Sequence, residues 1–278
     1  MAYRVKSPRF ARFLHAAVRP KNSRDNRVGH PIPTEATRYY QWAMKTPISP
    51  PPANTATASE WMLNGPDFFK KVVADRRATR HFEEEAVPDT VLRSILELAR
   101  QAPSGYNFQP ARFVVARDLS TRQRLRKAAF NQEKITEAPV VITAFGQRYG
   151  WKERIDEVMR QRVENGVLPA DAVEATKKGA LDFIQTIPPA VWLNRHVMIA
   201  FTFLMLAAES FGWDTAPLEG YDAKAVREVL TLPDDAEVVA LLAIGRARRP
   251  VSQYPGRLPL TEVVFAERFG QPWPADPT

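Results

Sequence analysis

Cysteine is absent from all 278 residues, which excludes disulfides, iron–sulfur ligation by thiolates and a cysteine nucleophile together. The redox compartment stays open on that ground, and a cytoplasmic location is compatible with it. No GxGxxG follows a strand-like run, so a Rossmann fingerprint is unsupported. No apolar run is long enough to cross a bilayer. The strongest, Val197 to Ala208, lies between Asn194, Arg195, His196 and Glu209 and reads as a buried helix, so no transmembrane segment is expected. Acidic residues are scarce at one end. The first thirty residues carry eight Lys or Arg against Asp25 alone, which is +7 of the formal +8, and the rest of the chain is nearly neutral. Basic charge confined to one tail, without a reading module, argues against nucleic-acid recognition. A solvated extension and contact with an anionic surface both stay open for that tail.

What is present is ordinary for a soluble domain, with 45% hydrophobic and 25% charged residues. Residues 1–60 read as a basic, Pro-rich extension, 61–245 as a catalytic domain and 246–278 as an arm wrapping another surface. The arm has six prolines and the apolar patch Val263, Val264, Phe265. Helical stripes run through Phe68, Phe69, Val72 and Val73, and through Val91, Leu92, Ile95, Leu96 and Ala99. Phe113–Ala116, Val140–Ala144 and Val238–Ile244 read as strands, and Val191–Phe211 as a long central helix opened by Pro188 and Pro189. Residues 149–187 form a charged helical insert. Few strands among so many helical residues predict an α+β sandwich with a small mixed sheet rather than a regular βαβ array.

Two segments carry candidate chemistry. RRATRHF, Arg76 to Phe82, places three arginines within five positions at a helix end, and guanidinium forks suit phosphate. A solvated helix end is the alternative. APSGYNFQP, Ala102 to Pro110, sets turn formers and amide side chains between a helix and a strand, and reads either as a heterocycle contact or as a polar connecting turn.

Together and in this order the two segments resemble the signature of the nitroreductase family, RRSxRxF followed by APSxxNxQPxxF. FNQEKITEAPVVI (Phe130 to Ile142), GWDTAPLEGYD (Gly212 to Asp222) and GRLPL (Gly256 to Leu260) extend the likeness over residues 67–262. The resemblance implies a nitroreductase-like sandwich with a mainly antiparallel sheet flanked by helices, in an intertwined homodimer holding FMN at its interface. It implies that Arg76, Arg77, the Ala78 position and Arg80 hold FMN, with Arg76 at the phosphate, and that the partner contributes Pro103, Ser104, Gly105 and Asn107. Asn131 and Lys134 match the pyrimidine edge, beside the plainer readings of a capping Asn and a surface Lys. Pro217, Leu218, Glu219 and Gly220 match the segment packed against the isoalloxazine, and Arg257 matches a second phosphate ligand. His196 falls where a Gln faces the cofactor in some members, with a packed or capping role equally open. Ala78 replaces a Ser, Pro255 a Lys and Ala111 a Trp of the family pattern.

The resemblance further implies hydride delivery from NADH or NADPH to flavin N5 and on to a small aromatic or quinone-like acceptor such as a nitroaromatic. Tuning falls to Arg80, Lys134, Glu219 and Gly220, and neither a protein nucleophile nor a metal is required. Tyr149, Trp151 and Phe183 of the insert are the candidate substrate cover, with ordinary packing as the alternative. A reductive dehalogenase of the same superfamily and a non-catalytic flavin-binding protein are the competing readings.

Overall fold

Val140, Ile142 and Ala144 alternate with Val141 and Thr143, and Ala240, Leu242 and Ile244 alternate with Leu241 and Ala243. A period of two sends each set to one face of a strand, and a strand apolar on both faces must be covered on both. The computed structural model describes residues 65–248 and 253–273, and the extension assigned to residues 1–60 lies outside them. In chain order the elements are α1 (Gly65–Asp75), α2 (Asp89–Ala99), β1 (Arg112–Ala116), α3 (Leu119–Ala128), the single turn α4 (Lys134–Glu137) and β2 (Val140–Gln147). There follow α5 (Ile155–Glu164), α6 (Val173–Ile184), α7 (Pro189–Ser210), β3 (Asp214–Leu218), α8 (Ala223–Leu230), β4 (Ala236–Gly245) and the short α9 (Leu260–Val263).

The strands run β1-β2-β4-β3, each antiparallel to its neighbours, with Val115 opposite Ile142, Ile142 opposite Leu242 and Thr215 opposite Ile244. The four strands are thus antiparallel throughout, and an isolated parallel bridge joins Ala78 to Thr215 outside them. Helices α2 and α7 cover one face, where Leu92, Ile95, Val197, Phe201 and Leu204 meet Ile142, Leu242 and Ile244. On the other face α3 and α8 bring Leu125, Ala128 and Val226 against Val141, Leu241 and Ala243, together with Phe82 and Ile135. The result is the expected α+β sandwich.

One feature departs from the sequence reading. Strand β3 was not anticipated, because Pro217 lies within it and proline cannot donate to a ladder. The outermost position in the sheet removes that objection. Helix α7 is longer than its apolar run, because Pro189 serves at the first turn, where no N–H is needed. By length and composition alone its 22 residues could cross a membrane. Leu193, Val197, Phe201 and Leu204 are nevertheless buried against protein, while Thr202 and Phe203 face outward.

Gly245 closes β4 where the sheet meets Phe82. A Cβ at this position would lie 2.8 Å from both Phe82 Cδ1 and Pro139 Cδ. Both neighbours are ring atoms without a flexible end to swing away, so overpacking should be felt in full. Gly245→Ala is expected to cost about 1–3 kcal/mol, read from urea denaturation midpoints at unchanged m-value.

Candidate functional site

Arg76 and Arg77 follow the end of α1, where Arg76 N–H still bonds to Val72 O at 3.2 Å. The chain then leaves the helix and runs along β3, with Ala78 bridging Thr215 and Thr79 N–H donating to Thr215 O at 2.9 Å. Thr79 is buried while Arg80 is exposed, so the sheet-like path turns the arginine outward. Phe82 ends the motif fully buried, and Glu137 Oε2 accepts its N–H at 3.1 Å. The other oxygen of Glu137 lies 3.2 Å from His81 Nδ1. Five residues of sequence thus become a strip clamped at Thr79 and Phe82.

The segment after α3 approaches the same sheet edge. Gln132 Nε2 donates to Gly220 O at 2.8 Å, just beyond β3. A Cβ on Gly220 would stand 3.4 Å from that nitrogen, an ordinary van der Waals contact. Phe130 and Asn131 adopt left-handed conformations, φ 54 and 59, and Asn131 N–H returns to Arg126 O at 2.9 Å. The backbone of Asn131 therefore does serve a helix terminus, and its side chain is exposed. Lys134 is half-buried, and desolvation holds its ammonium below the usual lysine range. Glu219 and Gly220 are exposed, while Leu218 is buried among α3 and α8 residues and Pro217 is half-buried.

From the C-terminal side, Tyr254 lies beneath two cations, with Arg77 at 4.8 Å and Arg257 at 5.5 Å from its ring centroid. Arg76, Arg77, Arg80, Lys134 and Arg257 make no ion pair among the described residues, in contrast to cations such as Arg160, which two glutamates share. Glu209 is the carboxyl whose charge Arg76 and Arg77 feel. Desolvation, then Asp214 and Asp75, push it up to about 7 against the pull of those arginines. Its Oε2 is buried without a hydrogen-bond partner among the described residues.

The other motif is held by different contacts. Gly105 N–H donates to His196 Nδ1 at 3.4 Å, and Gln109 N–H to Ser104 Oγ at 2.9 Å. Burial, and then Arg195, lower the His196 pKa, which favours the neutral ring that Nδ1 needs to accept. His196 is thus a packed residue holding the loop. Tyr106, Asn107 and Gln109 all have positive φ, at 53, 59 and 47. Left-handed backbone is unfavourable for Tyr and Gln and persists only where surroundings impose it. The imposing feature is a row of rings. Tyr106, Phe108, Trp151, Trp192 and His196 stand in sequence at centroid separations of 5.6, 5.5, 4.5 and 4.7 Å. Pro103 is exposed at the start of this loop.

This row corrects the substrate-cover assignment of Trp151. Its side chain is 3% exposed and lies among Phe108, Ile155, Val158, Met159, Ile184 and Trp192, so it anchors the insert. Tyr149 and Phe183 remain exposed, as a cover requires. Trp192, Phe108, Glu137, Gln132 and Tyr254 were missed by the sequence reading. Only Trp192 carried a usable signal, four residues before His196 and hence on the same helix face.

Residues 73–246 match the Nitroreductase family. The chain is 36% identical over 198 residues to an NADH dehydrogenase of Thermus thermophilus, covering 70% of this chain and 94% of that one. The chain belongs to the nitroreductase family. Another relative of the family member is an iodotyrosine deiodinase of Thermotoga neapolitana, 26% identical over 180 residues, covering 65% of this chain and 89% of that one. Among solved structures, a nitroreductase of Exiguobacterium sibiricum in complex with FMN superposes with TM-score 0.66 at 26% identity, covering 72% of this chain and 97% of that chain. Two departures from the nitroreductase pattern gain a physical reading. Ala78 is exposed and held by its backbone bridge to β3, so loss of the Ser hydroxyl leaves the strip in place. Ala111 packs at the edge of the core between α2, α7 and the sheet.

Two outcomes follow. Trp151→Ala is expected to lose about 3–5 kcal/mol of stability through the cavity left in the ring row, measured by chemical denaturation. For Glu209, the folded protein keeps a proton that the unfolded chain releases above the ordinary glutamate pKa. Stability should therefore fall as pH rises from about 4.5 through about 7. Glu209→Gln should abolish most of that fall, worth ~2–3 kcal/mol after solvent contact is allowed for, in melting curves compared at acid and alkaline ends of the window.

Proposed function

We propose that the chain is an FMN-dependent oxidoreductase taking electrons from NADH or NADPH and passing them to a small electron-poor acceptor, a nitroaromatic or a quinone. The observation that carries this reading is the set of cations without ion-pair partners among the described residues on one sheet edge, above all the half-buried Lys134. A partly desolvated ammonium without a carboxylate is stabilised by an anion supplied from outside. The donor set fits FMN. Arg76 and Arg257 would hold the phosphate, Arg80 and Lys134 the pyrimidine edge, and the backbone at Gly220 would lie against the ring system. Bound FMN supplies hydride acceptance and donation at N5.

This chain's own residues orient and tune. Positive charge at Arg80 and Lys134 favours the anionic reduced ring, and in a partly dry site the attraction exceeds its value in water. The Thr79 and Phe82 clamps fix where the Arg80 backbone stands. His196 and the ring row hold Ser104, Gly105 and Asn107 in a strained arrangement built on different elements from the arginine strip. That separation supports a homodimer in which one copy's loop completes its partner's site, with 253–273 as the wrapping arm. Leu258, Leu260, Val263 and Phe269 are exposed along that arm, which favours a covering surface. A cytoplasmic setting suits the nicotinamide donor.

Purified protein loaded with FMN and titrated anaerobically with NADH or NADPH should lose its flavin absorbance and recover it on adding a nitroaromatic or quinone. Bleaching without recovery by any acceptor would instead favour a non-catalytic flavin binder. The likeness to a deiodinase makes halogenated tyrosine the necessary second acceptor, and turnover confined to it would favour dehalogenation. Arg76→Ala is expected to raise the FMN dissociation constant at least about tenfold, as for loss of a charge-assisted phosphate contact. Flavin retention through gel filtration equal to that of the unmodified chain would remove Arg76 from the phosphate.

A further inference from the structure

The flavin reading leaves one cavity without a task. It lies between the start of the insert, the end of α6 and the start of α7, with a volume of about 150 Å³. Trp151, Ile184, Ile187 and Trp192 supply apolar wall, and Arg148, Lys152 and Gln185 stand around it as polar groups. The recess is open to solvent on one side, and the space within it is of the order that a single benzene ring fills. Aromatic walls add to burial by offset or edge contacts with such a ring.

The polar groups decide what the ring must carry. Arg148 is already neutralised, since its Nε and one terminal nitrogen donate to Glu237 Oε2 at 3.0 and 2.7 Å. Asp235 is likewise committed, accepting the N–H groups of Tyr149 and Gly150 at 3.0 and 3.3 Å. Lys152 makes no ion pair among the described residues, and its Nζ stands 5.7 Å from the Tyr149 ring centroid. Among the residues lining this apolar slot, Lys152 is thus a cation without an ion pair among the described residues, and Gln185 is an amide.

We propose that this cavity binds a monocyclic aromatic carboxylate, with its ring against Trp151 and Trp192 and its carboxylate toward Lys152 and Gln185. The cavity adjoins the exposed Tyr149 of the insert, and none of the cations assigned to FMN lines it, so binding there needs no flavin. Its two tryptophans also belong to the row that holds the Gly105 loop, so a ligand there packs against the same rings that fix that loop.

Benzoate is the probe, titrated calorimetrically into the full-length protein with and without added FMN, flavin uptake being followed separately by absorbance. Saturable binding is expected at millimolar benzoate or below, with equal affinity in both forms. Lys152→Met keeps the apolar stem and should weaken binding about three- to fivefold, as for loss of an exposed ion pair. Benzyl alcohol should bind the unmodified protein correspondingly less well than benzoate. Leu181→Trp, at a half-buried wall position, should fill the slot and abolish binding, with Ile187→Phe carrying the same test if that variant fails to fold. Absence of saturable binding, binding seen only after FMN is added, or affinity unchanged in Lys152→Met or in the filled-cavity variant would each overturn the proposal.

Discussion

The arginine strip cannot move independently of the sheet, and the site depends on that constraint. Thr79 N–H is bonded to Thr215 O on β3, and Phe82 is buried against the end of β4, where Gly245 leaves it room. Guanidinium groups on a free helix end would sample many positions, and each would lose side-chain entropy on meeting an anion. Pinning the backbone on both sides of Arg80 removes part of that cost beforehand. Glu137 strengthens the pin by accepting Phe82 N–H with one oxygen and standing beside His81 with the other. The edge position of β3 is what makes the arrangement available, since an inner strand would have both ladders occupied.

Much of this architecture was legible because it rests on periodicity. The short apolar runs at Val140–Ala144 and Val238–Ile244 set the two central strands, and the all-round apolar middle after Pro188 and Pro189 set α7. Strand β3 was hidden by Pro217, whose meaning depends on whether a strand lies at the edge, a tertiary fact. The motif residues were recognisable by order and spacing, yet their supports were not. Glu137 and Phe82 are 55 residues apart, Gln132 and Gly220 are 88, and nothing local announces either hydrogen bond. Trp151 was misjudged for a related reason. An aromatic residue at the start of a charged insert looks exposed until Phe108 and Trp192, contributed by distant segments, close over it.

The ring row explains how a loop with three left-handed non-glycine residues is held with only one 3-10 turn, Gly105–Asn107, of its own. Phe108 is buried between Tyr106 and Trp151, and burying an aromatic ring offsets part of the conformational cost of its neighbours. His196 adds direction, because a neutral ring nitrogen can accept from Gly105 N–H, whereas a protonated ring has no acceptor left. Gly105 has to be small here, since a Cβ would stand 3.2 Å from His196 Nε2. Insert, loop and α7 are thereby one packed unit, distinct from the strip along β3.

Charge at the sheet edge is governed by which groups are kept from ionising. An ionised Glu209 would compete for Arg76 and Arg77, but burial and the neighbouring Asp214 and Asp75 push it up to about 7, so the arginine charge remains largely uncompensated below that pH. Those same arginines pull in the opposite direction and favour the carboxylate. An anion settling on Arg76 would cancel part of that pull and raise the Glu209 pKa further. Anion binding and proton retention at Glu209 therefore reinforce each other by linkage, and the free energy one lends the other is returned in equal measure. Lys134, desolvated and without a carboxylate partner among the described residues, adds further positive charge. Among the described residues the edge therefore keeps a positive charge that an arriving anion would neutralise.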